Sequence, residues 1–218
     1  MPRADVVVVG AGLAGLTCAL RLAEGGVRVH VVAAGQATSL WASGPLDVAA
    51  PSGCATSREG LTALRAVAGH PYAALADELE PALAWLRERL AAEGLAYEGD
   101  LDTPFRPLPT ALGLTRPAAI APAAMAAALE PWRAGERLIV VGFAGFKDLW
   151  PAAVAASLRR AAVWDGATQP GSVSAVVVDL PDLAGRRNLN ALHLAGLLDD
   201  PQGRLRVLDA VARAVDRL

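Results

Sequence analysis

Residues 6–32, VVVVGAGLAGLTCALRLAEGGVRVHVV, leave a chain few ways to fold. Four consecutive valines, Val6 to Val9, are apolar on both faces and predict a buried parallel strand. The turn Gly10-Ala11-Gly12-Leu13-Ala14-Gly15 follows at once as a G-x-G-x-x-G. Leu13, Leu16, Leu20 and Ala23 recur at helical spacing and predict a helix over 11–24, which Gly25-Gly26 can stop. VRVHVV, 27–32, completes a βαβ unit as its second strand. In such a unit each glycine has its own steric task. Gly10 permits the tight turn out of the strand, Gly12 lets a pyrophosphate approach the backbone, and Gly15 lets helix and strand pack closely. The helix N-terminus then offers unpaired N–H groups and a positive dipole to phosphate. A merely structural glycine turn is the competing reading. The strand before the motif and the helix after it favour nucleotide binding.

One part of the fingerprint is missing. An acidic side chain is expected at the end of the second strand, where it would hold a ribose. Ala33-Ala34-Gly35 stand there instead. The phosphate half of the motif is intact and the adenosine half is weakened, so the loop tolerates a dinucleotide held by other contacts and also a mononucleotide.

Composition narrows the classes. The chain has 218 residues, 54% hydrophobic and 19% charged, enough for one globular domain with an appendage. A net charge of -2 and no basic run argue against nucleic acid as a partner. Lys147 is the only lysine and is followed by Asp148, which excludes a P-loop. No lysine lies four residues after Tyr72 or Tyr97, which counts against a Tyr/Lys proton-relay dehydrogenase. Cys18 and Cys54 lack metal-ligand spacing, and His30, His70 and His193 are scattered, so no metal site is expected. The N-terminal apolar run is interrupted by Asp5 and closed by Arg21 and Glu24. It is read neither as a signal peptide nor as a membrane span.

Along the chain, 35–60 is Gly-, Ser-, Pro- and Ala-rich and reads as loop, with a helix expected at 59–68. ADELEPALAWLRERLAAEG predicts an amphipathic helix whose Leu79, Leu83, Leu86 and Leu90 face a core and which Gly94 ends. The proline-rich 97–135 reads as an extended, loop-rich segment with short strands. RLIVVGFAGF, 137–146, is a further strand entering a glycine turn. There Gly142 and Gly145 read as close helix–strand packing rather than a second ligand loop. WPAAVAASLRRA is a helix with Pro151 in its first turn, and SVSAVVVDLP is another strand. RNLNALHLAGLLDD and GRLRVLDAVARAVDRL read as helices. In the last, Leu205, Leu208, Val211, Val215 and Leu218 form a stripe with no stop residue after it, so the chain reads as ending inside an element. The expected division is 1–70 as a nucleotide-binding βαβ unit, 71–135 as a helical and loop-rich cap or substrate region, and 136–218 as a second α/β segment. The fold class is α/β, a Rossmann-like FAD/NAD(P)-binding domain with a loop-rich middle region, C-terminally incomplete.

Several uncommon stretches occur in one order: GQATSLWASGPLDV (35–48), HPY (70–72), LPTALGLTRPAAIAP (108–122), LIVVGFAGFKDLWPAAVAASL (138–158), and DLPDL followed by RRNLNALHLAGLLDD (179–200). With GLAGL after VVVVGA, they resemble the B subunits of anaerobic glycerol-3-phosphate dehydrogenases over essentially the whole chain. That resemblance implies a flavoprotein with FAD or FMN. It implies a catalytic flavoprotein A subunit that oxidises glycerol 3-phosphate to dihydroxyacetone phosphate. It also implies an iron–sulfur C subunit that passes electrons to menaquinone. The location implied is cytoplasmic, peripheral at the inner face of the cytoplasmic membrane, with the membrane reached only through a partner. Members of the family are about twice as long, so the chain is expected to match their N-terminal half.

Carried over by the resemblance, Gly10, Gly12 and Gly15, with the N–H groups of Ala11, Leu13 and Ala14, meet the cofactor's phosphates. Ala33, Ala34 and Gly35 border the same site. Ser43 and Gly44, in SGPLD, lie where related flavoproteins bring a loop past the phosphates or the isoalloxazine; a plain Ser-Gly-Pro turn is the alternative. His70 is a base by residue type, but with no visible partner it reads as a loop residue ahead of a helix. Arg186 and Arg187, beside Asn188, and Arg106 and Arg116 have the guanidinium fork that suits a phosphate, but the surface reading, a helix-start pair for the first two, is preferred. Trp41 is read either beside a flavin or in a core. No catalytic residue is assigned, because hydride transfer to a flavin is cofactor chemistry. Three rival readings remain: a self-contained FAD-dependent oxidoreductase on another small substrate, an NAD(P)-dependent Rossmann enzyme, and a non-enzymatic fragment that only packs against partners.

Overall fold

The valine run forms a strand because β-branched side chains suit the pleat, and the glycine turn after it lets the chain reverse into a helix. The structure, a computed structural model, describes residues 3–35, 37, 42–130, 135–160, 171–186 and 188–218. Strand β1 (Val6–Val9) pairs in parallel with β2 (Val29–Val32), Val6 opposite Val29, and helix α1 (Leu13–Glu24) crosses between them. At the strands' entry Asp5 accepts from the Arg28 backbone N–H and from its guanidinium, at 2.7 Å for the shortest contact, which holds the register.

Two expectations about this unit are corrected. The valines do not make a strand covered on both faces: Val6 and Val8 are partly covered, whereas Val7 and Val9 are 58% and 85% exposed. Nor do Leu13, Leu16 and Leu20 form the covered side of α1; all three are exposed, and Ala19 is the buried residue. The reason is Gly15. Its lack of a side chain draws that side of the helix onto β1, and Ala19, one turn on, follows it. The leucine stripe is thereby turned outward.

The middle of the chain is helical and then proline-rich. Helix α2 (Ser57–Arg65) begins two residues earlier than expected because Thr56 caps it, accepting from the Glu59 N–H at 3.2 Å. Removing that acceptor in Thr56→Ala is expected to cost about 1 kcal/mol, read as a fall of roughly 2–4 °C in thermal midpoint. Helix α3 (Pro71–Ala92) starts ahead of the leucine stripe. His70 caps it, its Nδ1 accepting from the Tyr72 N–H, and Pro71 occupies the first turn. His70 is thus the residue before a helix, with a structural task. Four short strands follow, β3 (Tyr97–Glu98), β4 (Arg106–Pro109), β5 (Thr115–Ala118) and β6 (Ala121–Pro122), then a 3-10 helix, Ala123–Leu129. Strand β3 pairs with β6 and β4 with β5, both antiparallel. They stay short because Pro104, Pro107, Pro109, Pro117 and Pro122 cannot donate to a ladder. Val48, Ala49, Leu61, Leu101, Ala119 and Ile120 form the core here, with Leu79 and Leu83 of α3 packed on it.

A second parallel unit follows. Strand β7 (Arg137–Phe143) pairs with β8 (Ser172–Val178) across helix α4 (Pro151–Arg160). Helices α5 (Ala191–Asp199) and α6 (Pro201–Val215) complete it. Leu138 and Val140 pack with Val154 and Leu158 of α4. Val141 and Phe143, alternating with them, pack with Val207 and Ala214 of α6. This pair, unlike β1–β2, is covered on both faces. In the last helix Leu205, Leu208 and Leu218 of the apolar stripe are exposed and Val211 packs on the core, while Gly203, Val207 and Ala214 are buried. The glycine decides it, since a Cβ at Gly203 would lie 2.3 Å from the Leu197 carbonyl oxygen, an approach to α5 that only glycine allows.

Exposed ion pairs staple these elements. Arg58 binds Asp102 and Glu80, and Arg206 binds Asp182. The arginine hydrogen bonds hold Asp5, Asp102 and Asp182 below the usual carboxylate range. Their folded-state values lie below the unfolded ones, so the stabilisation is present above about pH 4 and is lost as pH falls further. The urea midpoint is expected to drop between pH 7 and pH 3, with a smaller drop in an Asp102→Asn variant.

Candidate functional site

The glycine loop sits where β1 ends and α1 begins. Gly10 takes a φ of 109°, which side-chain-bearing residues avoid, and its N–H donates to the Val32 carbonyl at 2.8 Å. That bond ties the turn to the end of β2. A Cβ at Gly15 would lie 2.2 Å from the Gly10 carbonyl oxygen and 3.5 Å from Val8, so only glycine lets the helix sit this close to the strand. Gly12 differs from both. Its backbone is ordinary, with φ -75° and ψ 173°, and a Cβ there would meet nothing within 4 Å. The fold itself gives no reason for glycine at this position. A bare backbone with open space beside it suits a ligand that must come close.

Gly12 is also the N-cap residue of α1, and no side chain caps the helix. Leu13 and Ala14 begin the helix beside it, no acidic residue lies in the first turn, and Arg21 lies in the last. The helix start is therefore a region of positive potential built from backbone N–H groups, which fits a phosphate or pyrophosphate. Ala11 completes the turn.

Ala33, Ala34 and Gly35 follow β2 as an exposed bend. They bring no carboxylate to the place where a ribose would be held, so the residues present fit the phosphates of a nucleotide better than its adenosine.

The SGPLD loop is held from elsewhere. Arg116, on β5, donates to Ser43 Oγ at 2.9 Å and to the Asp47 carboxylate. Tyr97 donates its hydroxyl proton to the Gly44 carbonyl at 2.8 Å. The Leu46 N–H donates to the Ile120 carbonyl at 2.9 Å. Gly44 has a φ of 98°, and a Cβ there would lie 2.9 Å from Pro122. The side-chain ties from Tyr97 to Gly44 and from Arg116 to Ser43 span 53 and 73 residues of sequence, so no local pattern could have revealed them.

The other sequence candidates fall apart in space. Arg106 pairs across the β4–β5 ladder with Ala118, and Arg186 and Asn188 are exposed. Arg187 and Trp41 lie outside the described residues. Gly142 matches its packing role: a Cβ there would lie 2.7 Å from Pro151, at the start of α4. Among the described residues no three His, Cys, Asp or Glu side chains gather as a metal site, and no helix is long and apolar enough to cross a membrane.

Comparison with known proteins places these features in a lineage. The profile of the FAD binding domain family matches residues 5–216. Among curated relatives, the B subunit of the anaerobic glycerol-3-phosphate dehydrogenase of Yersinia enterocolitica is 34% identical over 96% of this chain and 50% of its own length. The protein of the same name from Pectobacterium carotovorum is 32% identical over the same shares. That of Aliivibrio fischeri is 38% identical over 45% of this chain and 23% of its own length. The chain thus spans about half the length of the first two. No solved structure matches it.

Proposed function

Because the chain belongs to the FAD binding domain family, we propose that it binds FAD at the turn from Gly10 to Gly15. We further propose that it serves as the electron-transferring B subunit of an anaerobic glycerol-3-phosphate dehydrogenase. The observation that carries the reading is Gly12, a glycine with ordinary dihedrals, no neighbour for a Cβ, and an uncapped helix start beside it. In this reading the backbone N–H groups from Ala11 to Gly15 receive the pyrophosphate. Ala33, Ala34 and Gly35 border the adenosine side, and Ser43 and Gly44 lie along the flavin. FAD, when bound, supplies two-electron redox chemistry, and the protein supplies position and electrostatics.

The division of labour follows the expected boundaries: 1–70 holds the nucleotide, 71–135 caps it, and 136–218 is a second α/β segment. The partners proposed are a catalytic flavoprotein A subunit and an iron–sulfur C subunit, with electrons passing to quinone at the inner face of the cytoplasmic membrane. The relatives' name, shared along almost the whole chain, supports that assignment.

The test begins with the purified full chain. Flavin absorbance, with FAD released on denaturation, is the expected result. Released FMN would instead assign a mononucleotide and explain the absent ribose acid. A colourless chain that takes up neither flavin on addition overturns the reading. Co-expression with the two partner subunits tests the second part, which stands if they co-purify and falls if the chain alone oxidises a donor.

A further inference from the structure

Resting on that reading of the flavin site, we infer that Arg116 is a positioning residue, a clamp through which the middle of the chain holds the Ser43–Asp47 loop against the flavin. Its two terminal nitrogens go to different residues, one to Ser43 and the other to Asp47, so a single guanidinium spans the loop from end to end. A planar fork reaches the two acceptors with separate, fixed N–H groups, whereas an ammonium offers its donors from a single point. The arginine itself is held on β5, with Leu108 of β4 opposite it in the ladder and Leu108 buried. Its side chain is 28% exposed against 49% for Asp47, so the ion pair is partly shielded from solvent.

The other attachments point the same way. Tyr97 holds the Gly44 carbonyl, and burial pushes its phenol pKa upward, which keeps the donor proton in place. Leu46 bridges to Ile120, one of the most buried residues of the chain, and Pro122 closes the space beside Gly44. Among the described residues, the hydrogen bonds that hold Ser43, Gly44, Leu46 and Asp47 run to Tyr97, Arg116 and Ile120, all in the middle segment and none in β1, α1 or β2. The loop therefore takes its place from the middle segment, although its sequence lies next to the nucleotide unit. A shift of β5 would carry the loop with it.

The experiment compares Arg116→Ala, Arg116→Lys and Ser43→Ala in the full chain. FAD affinity is measured by titration of the apoprotein, with three further readouts: the flavin spectrum at saturation, the apoprotein's thermal midpoint, and the rate of limited proteolysis within 42–50. Arg116→Ala is expected to weaken FAD binding about tenfold, the scale of leaving one binding element unordered. It is also expected to alter the flavin spectrum and to speed cleavage in the loop, with a near-native midpoint. Arg116→Lys should restore part of the affinity, and Ser43→Ala should lose a smaller part. Wild-type affinity and spectrum in Arg116→Ala overturn the clamp and leave the flavin site standing. A collapsed midpoint in Arg116→Ala, with native affinity and spectrum in Ser43→Ala and Arg116→Lys, assigns the arginine to the fold alone. Failure of the wild-type chain to bind FAD overturns the parent reading instead.

Discussion

Gly12→Val is expected to leave the fold intact and to remove the flavin. The backbone at Gly12 has φ -75°, which valine accepts, and a Cβ there meets nothing within 4 Å. Valine is a poorer N-cap than glycine, so apoprotein stability should change by no more than about 1 kcal/mol. Flavin affinity should fall at least about a hundredfold, roughly 2.8 kcal/mol, because the side chain fills the space a pyrophosphate would occupy. Gly15→Ala should behave in the opposite way. Its Cβ would lie 2.2 Å from the Gly10 carbonyl oxygen, so helix and strand must separate. A loss of about 2–3 kcal/mol in the apoprotein is expected, before any flavin is added. Thermal melting of the apoproteins and flavin titration separate the two. If both variants lose stability equally, Gly12 serves the fold and its link to phosphate falls.

Gly60→Ala should produce a large loss of stability. Gly60 lies inside α2, where alanine would ordinarily gain about 1 kcal/mol from helix propensity. Here a Cβ would lie 1.8 Å from the Ala49 carbonyl oxygen and 2.8 Å from Pro51. Ala49 cannot easily yield. It is buried and already holds a φ of 44°, a left-handed conformation rare for a residue with a side chain. Ser57 adds a hydrogen bond of 2.7 Å to the neighbouring Val48 carbonyl. The steric term therefore outweighs propensity, and a net loss of about 3 kcal/mol or more is expected in urea unfolding. Gly196→Ala is the control of opposite sign. It sits in α5 with no atom within 4 Å of its would-be Cβ, so it should stabilise by about 0.5–1 kcal/mol. Equal effects at the two positions would show that propensity, not contact, governs both.

Much of the local structure was legible because its causes are local. A glycine after a valine run reverses the chain, Gly25-Gly26 ends α1, and Pro151 opens α4 within its first turn. Proline density kept the middle strands short. Burial was less legible, since periodicity marks an apolar stripe without saying which stripe is covered. In α1 and α6 the leucines were the visible signal, yet the covered faces run through Gly15 and Ala19, and through Gly203, Val207 and Ala214. Small residues won because they permit close backbone approach, and side-chain hydropathy does not report that.

The sequence by itself determined the βαβ unit with its glycine turn and the absence of an acid after β2. Both depend on residues a few positions apart, where backbone sterics and helix-end electrostatics act directly. Only the tertiary structure decided that Gly12 is free of the fold's own packing and Gly15 is not. It alone showed that the SGPLD loop is held by Tyr97, Arg116 and Ile120 rather than by the unit it follows. Those contacts join residues more than 50 positions apart, and the chain must close before either partner exists for the other.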